Sequence, residues 1–358
     1  MVDNSNFMFM KKSTIKILCV TLFGIVAAAS LMTVTSCESK QSASDSGKGL
    51  VAESFAKIDS LQPCFTFYPE RWTSDGEHLW IVNSRDSFFL KEYDPVKNVV
   101  LWRGGSIGHG HNEYISPGIV EGFSSAKLAL YSNTLNRIDI YSDDNGLEKV
   151  STSKLPIWNA EHGIPKPYTR MVFVNDSTAI GTYFLPREAG AEFLDIKNGR
   201  LLSTLPLGVK AGENEPSGPY EFKVAADCGY AVAAYRYINR LEFFDIDSNG
   251  SATLSGVIGN DLTQTDLYNA DRDLEMIKYY SDAVIHGGRL FTLYQGIEDG
   301  RIAEAKTHLE IYDLKTRKNV ANINLGMECY EMQVMPAAGK IMLYSSSKPD
   351  LLYECDLP

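Results

Sequence analysis

Apolar and polar positions recur along this chain in a fixed order. A short apolar run ends on a tyrosine at residues 128–131, 180–183, 232–235, 290–294 and 341–344, and a first copy, residues 79–83, ends on asparagine. The steps between those end positions, from Asn83 through Tyr131, Tyr183, Tyr235 and Tyr294 to Tyr344, are 48, 52, 52, 59 and 50 residues. A second pattern trails each copy, an apolar strand closing on an acidic or polar turn at Asp94, Ser142, Asp195, Asp245, Asp313 and Asp356. Its steps are 48, 53, 50, 68 and 43 residues. Two markers share one period of about 50 residues, and a period of that length marks a repeat architecture.

Each copy reads as short strands joined by tight turns. Asn145-Gly146, Asn198-Gly199 and Asn249-Gly250 are hairpin signals, because Asn and Gly tolerate positive φ. No long stretch carries a helical period. Four-stranded units at this spacing predict an all-β chain, a six-bladed β-propeller over residues 50–358. The sixth copy stops at Pro358, where the others have an outermost strand. Residues 50–58 are the spare strand expected to complete that last blade and hide its edge. The step of 68 marks an insertion, placed at about residues 260–278 and 295–308.

Histidines draw the eye to residues 105–118, GSIGHGHNEYISPG, where His109, His111 and Glu113 alternate. Alternating His and Glu can converge on one ion. Two periods later, however, Gly212-Glu213-Asn214-Glu215 repeats the form of Gly110-His111-Asn112-Glu113 without a histidine. Gly, Asn and Glu are therefore what the linker needs, and a structural loop is the expectation. Residues 104–108 match G-x-S-x-G, but a hydrolase elbow needs a helix after its serine, and glycines and Pro117 follow instead. Residues 245–250 open like a calcium loop, yet the twelfth position is Gly256, so a plain hairpin is expected.

Two sets of residues recur once per copy. The tyrosines suit packing between blades, with aromatic platforms for a sugar or peptide as the functional alternative. Arg71, Arg170, Lys223 and Lys278 fall near the starts of copies, where inner strands begin, so they are candidates to border a central funnel and meet an anionic ligand. Solvated surface charge is the competing reading. No catalytic residue, metal ligand or cofactor is assigned.

The N-terminus addresses the compartment. A basic start at Lys11-Lys12, an apolar run over residues 17–32 and small residues before Cys37 describe an export signal over residues 1–36. Residues 34–37, VTSC, resemble a bacterial lipobox, in which the cysteine becomes the lipidated first residue; an ordinary secretory signal is the alternative. Glu38 stands where the inner-membrane retention signal has Asp, which points to the outer membrane, and residues 37–49 are a polar Ser/Gly-rich tether. Cleavage before Cys37 removes 36 of the 358 residues and a net charge of +2, taking the chain from −11 to −13. Nucleic acid is excluded as a partner by that acidity. Cys64, Cys228, Cys329 and Cys355 have no CxxC spacing, which argues against a zinc site and names no disulfide pair.

The period, the G-x-G-x-N-E linker, the IYDL-type strands and the lipobox together resemble the TolB-like six-bladed propeller lipoproteins of Bacteroidetes over about residues 50–358. That resemblance implies architecture and carries over no catalytic residue. The function expected is a non-enzymatic ligand- or protein-binding module at the outer membrane, anchored through Cys37 and holding a peptide, glycan or protein. The alternative is a propeller hydrolase or lyase with a metal at the funnel.

Overall fold

The structure is a computed structural model that describes residues 51–110, 112–122, 128–142, 147–159, 161, 164–186, 188–210, 217–227, 229–247, 250–260 and 276–358. It is all-β, built from consecutive antiparallel sheets. Sheet 1 holds Arg71–Ser74, Leu79–Val82, Leu90–Asp94 and Val99–Gly104; sheet 2 holds Gly118–Glu121, Leu128–Ser132, Arg137–Ser142 and Glu148–Ser153. Sheet 3 holds Tyr168–Asn175, Thr178–Leu185, Glu188–Asp195 and Arg200–Thr204; sheet 4 holds Phe222–Asp227, Tyr230–Tyr235, Arg240–Ile246 and Ala252–Gly259. Sheet 5 holds Ile277–His286, Arg289–Glu298, His308–Asp313 and Asn319–Asn324; sheet 6 holds Glu331–Met335, Lys340–Tyr344 and Leu352–Asp356. Within each sheet the strands pair in sequence order, as hairpins require.

The two sequence markers have fixed places in these sheets. The tyrosines lie in second strands, and Asp94, Ser142, Asp195, Asp245, Asp313 and Asp356 lie at or next to the ends of third strands. The turn acids have a local job. Asp94, Asp195 and Asp313 accept the backbone N–H of Lys97, Asn198 and Thr316 at 2.9, 3.0 and 2.7 Å, closing the hairpin to the fourth strand. Gly199 completes one such turn at φ +63°, and a Cβ there would lie 2.1 Å from the Lys154 carbonyl oxygen.

A strand of a two-faced sheet reads as a nearly continuous apolar run, and the second strands here are buried along most of their length. The apolar faces meet between sheets. Trp80, Val82 and Leu90 of sheet 1 pack on Ile119, Leu128 and Leu130 of sheet 2. The same kind of core joins sheets 2 and 3, 3 and 4, 4 and 5, and 5 and 6. Met335, Met342 and Leu352 of sheet 6 then pack on Trp72, Leu79 and Ile81 of sheet 1, so the series of cores returns to its start. First strands also touch first strands; in one place they pair in parallel, Val120 opposite Met171. The architecture is propeller-like.

A polar element repeats inside it. The third strands of sheets 1 to 5 each bury a carboxylate: Glu92, Asp139, Glu192, Glu242 and Glu310. Burying a charge is costly unless it is paired and hydrogen-bonded. Tyr168 and Lys166 donate to Glu192 at 2.7 and 2.6 Å; Tyr235 and Arg240 donate to Glu242 at 3.1 and 2.7 Å; Tyr312 donates to Glu310 at 2.6 Å. Asp139 takes Tyr114 and, at 3.0 Å, Arg137. In sheet 1 the partner of Glu92 is His78, at 3.2 Å.

The front of the chain departs from expectation. Within residues 50–58, Glu53–Phe55 pairs in parallel with the outer strand of sheet 5, as a fifth strand and not as the missing strand of sheet 6. The strand that pairs antiparallel with Leu352–Asp356 is Asp59–Leu61, a few residues further on. Glu53, Ser54 and Phe55 are all exposed, so backbone pairing and not burial sets their position. Apolar anchoring comes after them: Ala56 and Ile58 pack between sheets 5 and 6, and Leu61 packs with the core of sheets 6 and 1. Deleting residues 56–61 should therefore cost about 3 kcal/mol or more, from three lost apolar side chains and an unpaired edge. Deleting 51–55 should cost less than half of that. Urea unfolding of the parent and the two deletions checks the order.

Candidate functional site

One end of the set of first strands opens into a cavity of about 720 Å³, in the usual size range of small-ligand sites, about 300–1,000 Å³. Sheets 1, 2, 3, 4 and 6 all contribute lining residues. Its floor is an ionic cluster. Arg170, on the first strand of sheet 3, reaches Glu121 of sheet 2 at 2.5 Å and Asp282 of sheet 5 at 2.9 Å. The second oxygen of Asp282 accepts the Met332 N–H of sheet 6 at 2.9 Å. All three ionic side chains are buried.

Two carboxylates thus share one guanidinium. Burial works against the Arg170 charge, but Glu121 and Asp282 outweigh it and hold its pKa above the ordinary value. For Glu121, burial and the nearby Asp282 push the carboxyl upward against the pull of Arg170 and Lys223. Lys223 Nζ lies 3.7 Å from Glu331, whose other oxygen accepts Trp72 Nε1 at 2.9 Å.

The mouth differs from the floor. Arg71 and Arg85 are exposed and make no ion pair among the described residues. Arg71 donates to the carbonyls of Glu70 at 2.6 Å and Thr169 at 3.2 Å, which spans sheets 1 and 3. Arg85 lies over the Tyr68 ring, 4.5 Å from its centroid. Tyr330, Tyr344 and Phe184 supply further rings. Burial pushes the Tyr344 hydroxyl up to about 12, so it stays a protonated donor near neutral pH.

The structure brings Arg71, Arg170 and Lys223 to this one cavity. Lys278 lies outside its lining; buried, it pairs with Asp299 at 2.5 Å and sits 5.5 Å from the outer ring, Tyr330. His109 is exposed on the loop between sheets 1 and 2, and His111 and Cys37 lie outside the described residues. The second linker copy, residues 212–215, lies outside them too. Glu113 turns inward on its own loop: its carboxylate accepts the Gly110 N–H at 2.8 Å. A Cβ on Gly108 would stand 2.1 Å from that carboxylate, so a side chain there would displace the Glu113 carboxylate from its place. Ser106 sits in the short strand Ser106–Ile107, with no helix after it among the described residues. The turn after Asp245 is a hairpin in which Ser251 N–H donates to Asp247 at 2.9 Å.

Sequence reasoning missed Glu121, Asp282, Arg85 and, apart from Tyr344 of the repeated tyrosines, the aromatic lining. A signal existed for the first two, since each is a carboxylate inside an otherwise apolar first strand, GIVE and YYSDAVI. It missed also Asp75, His78 and Glu92, whose ligating atoms lie within 4.8 Å of one another at the first hairpin of sheet 1, away from the cavity. Internal bonds account for that group. Asp75 accepts the His78 N–H at 2.7 Å and Trp80 Nε1 at 3.0 Å, and His78 bridges to Glu92.

The cluster under the cavity sets a stability expectation. Arg170→Ala leaves Glu121 and Asp282 buried and unpaired, so it should cost about 3–5 kcal/mol. Arg85→Ala, at an exposed turn, should stay within about 0.5 kcal/mol of the parent. Chemical unfolding at neutral pH compares the two.

No known family profile matches the sequence, and no curated protein matches it. Solved structures do. The chain is similar to a protein of Bacteroides fragilis described as exported, at 11% identity and TM-score 0.55, over 87% of this chain and 98% of that one. It is also similar to a member of the DUF4221 family from Bacteroides vulgatus, at 10% identity and TM-score 0.55, over 84% and 96%. A third likeness, to the β-propeller domain of Cps50 (Swd1) from Myceliophteria thermophila, has 8% identity and TM-score 0.47, over 84% and 100%. At these identities the likeness is one of fold.

Proposed function

We propose that the chain is an exported six-bladed propeller that binds a ligand in its axial cavity, without catalysis, while anchored to the outer membrane through a lipid on Cys37. The observation that carries the binding reading is the cavity itself. Five sheets converge on it, and its mouth combines two guanidinium groups, in no ion pair among the described residues, with aromatic rings. Concave sites with a few convergent polar groups are where small ligands bind. Six cores that return to their start support the blade count, and Asp59–Leu61 beside Leu352–Asp356 supports closure by the front of the chain. Export and anchoring are supported by the apolar run before VTSC and by the description of the Bacteroides fragilis neighbour. The hydrolase or lyase alternative draws no support from the floor, where Glu121 and Asp282 are both engaged by Arg170.

The cavity has a direct test. Ser346 is exposed on its lining and donates to Glu328 at 3.0 Å, but Ser345 and Ser347 also donate to Glu328, at 2.5 and 3.3 Å. Ser346→Trp should therefore fill the mouth and leave Glu328 satisfied. In a thermal-shift screen of glycans and peptides, compounds that raise the parent's melting temperature should fail to raise that of the variant. Stabilisation that is equal in both proteins places binding elsewhere.

The anchor is tested separately. The parent should incorporate labelled fatty acid and fractionate with the outer membrane, and Cys37→Ala should lose both properties. One acyl chain binds a membrane only marginally, so stable fractionation requires more than one. An unlabelled parent that fractionates as Cys37→Ala does would remove the lipid from the reading.

A further inference from the structure

Resting on the axial cavity as the ligand site, we infer that its ligand is a saccharide bearing a carboxylate, a hexuronic acid or a short chain of them. Arg71 and Arg85 hold the carboxylate, and the aromatic rings hold the sugar body.

How the charged groups around the cavity are engaged selects the sign. Each lining carboxylate already has a donor. Glu70 accepts Ser84 at 2.6 Å, Glu121 accepts Arg170, Glu221 accepts Arg236 at 2.5 Å, and Glu331 accepts Trp72. The cations are not equally engaged. Arg170 is spent on the floor and Lys223 faces Glu331 at 3.7 Å, whereas Arg71 rests on backbone carbonyls and the Tyr131 hydroxyl, and Arg85 on a ring. A guanidinium presents a planar fork that matches a carboxylate through two parallel bonds. The floor, with two carboxylates to one guanidinium, repels a second negative group. A ligand anion is therefore turned toward the mouth.

The rest of the lining selects the body. Tyr68, Tyr330, Tyr344 and Phe184 offer ring faces, which suit a compact ring with apolar C–H edges. Between the rings stand acceptors and hydroxyls. The engaged carboxylates keep free lone pairs, and Thr169, Thr182 and Ser346 add side-chain oxygens. A polyhydroxylated ring satisfies such a surface. A bare inorganic anion leaves the rings and most of the 720 Å³ unused, and a glutamate-rich peptide brings N–H donors but no ring body to lie on the aromatic faces.

Calorimetry on the full chain in detergent decides the matter. The probes are disaccharides of galacturonic, glucuronic and mannuronic acid, their neutral hexose counterparts, a glutamate-rich peptide and inorganic phosphate. At least one uronate should bind, and its neutral counterpart should bind about tenfold more weakly or worse, the loss expected for a charge-assisted hydrogen bond. Arg71→Ala and Arg85→Ala should each weaken the uronate by about tenfold or more, and Ser346→Trp should abolish binding. Because Arg85 lies on an exposed turn, its variant keeps the test valid if Arg71→Ala folds poorly. Failure of all three uronates, equal binding of the neutral sugars, or parent-like affinity in Arg85→Ala overturns the inference. Preferential binding of the peptide or phosphate, lost in Ser346→Trp, also overturns the saccharide but leaves the cavity as the ligand site. A uronate that binds Ser346→Trp as it binds the parent overturns both.

Discussion

A single buried guanidinium fixes the geometry on which the cavity depends. Arg170 bonds a carboxylate from sheet 2 and another from sheet 5, and the latter holds a backbone N–H of sheet 6. Four sheets therefore meet through one side chain. First strands converge there, and the small space beneath the cluster is lined largely by alanine and valine. An apolar filling of the same volume would be no less stable in principle, since desolvating an ion pair offsets much of its attraction. What the ionic floor adds is direction. Its bonds have fixed partners and lengths, whereas an aliphatic plug admits several packings.

The same solution recurs away from the axis. Each of the first five sheets buries a carboxylate on its third strand and satisfies it from nearby strands or the adjoining linker, mostly with a tyrosine hydroxyl and a cation. One of the repeated tyrosines, Tyr235, has two tasks at once. Tyr183 and Tyr235 pack in the cores between sheets, and Tyr235 also reaches Glu242. Tyr344, in sheet 6, instead faces the cavity. One position in the repeat thus serves packing in most sheets and the site in one. An aromatic ring with a polar tip can do both.

Much of the architecture was legible because it repeats. The period and the turns after the third strands follow from residues that recur at the same place in each copy, such as Asp94, Asp195 and Asp313; most of the first expected insertion, residues 261–275, and the Asn145-Gly146 and Asn249 turn positions lie outside the described residues. The strand-to-strand pairing of the front segment was not legible, because Glu53–Phe55 pairs by backbone and buries nothing. The cavity was legible only in part. Arg71, Arg170 and Lys223 were singled out by their place at the starts of copies, yet that rule also selected Lys278, which the Asp299 carboxylate draws away from the lining. Glu121 and Asp282 left a weaker trace, a charge in an apolar run. Reading it needs the knowledge that three first strands bring those charges to one point, and that lies in the fold and not in the local sequence.

The cations at the mouth also have to act within a strongly acidic molecule. The mature chain carries −13 if cleaved before Cys37, so at long range its field repels an anion. At physiological salt that field fades over about 8 Å. Arg71 and Arg85 therefore cannot gather an anionic ligand from a distance. They act after contact, through short-range hydrogen bonds beside the rings of the mouth. The arrangement favours slow, selective capture, in which the fork of the guanidinium and the fit of the ring count for more than net charge. It also favours ligands present at high local concentration, because the encounter receives no electrostatic help.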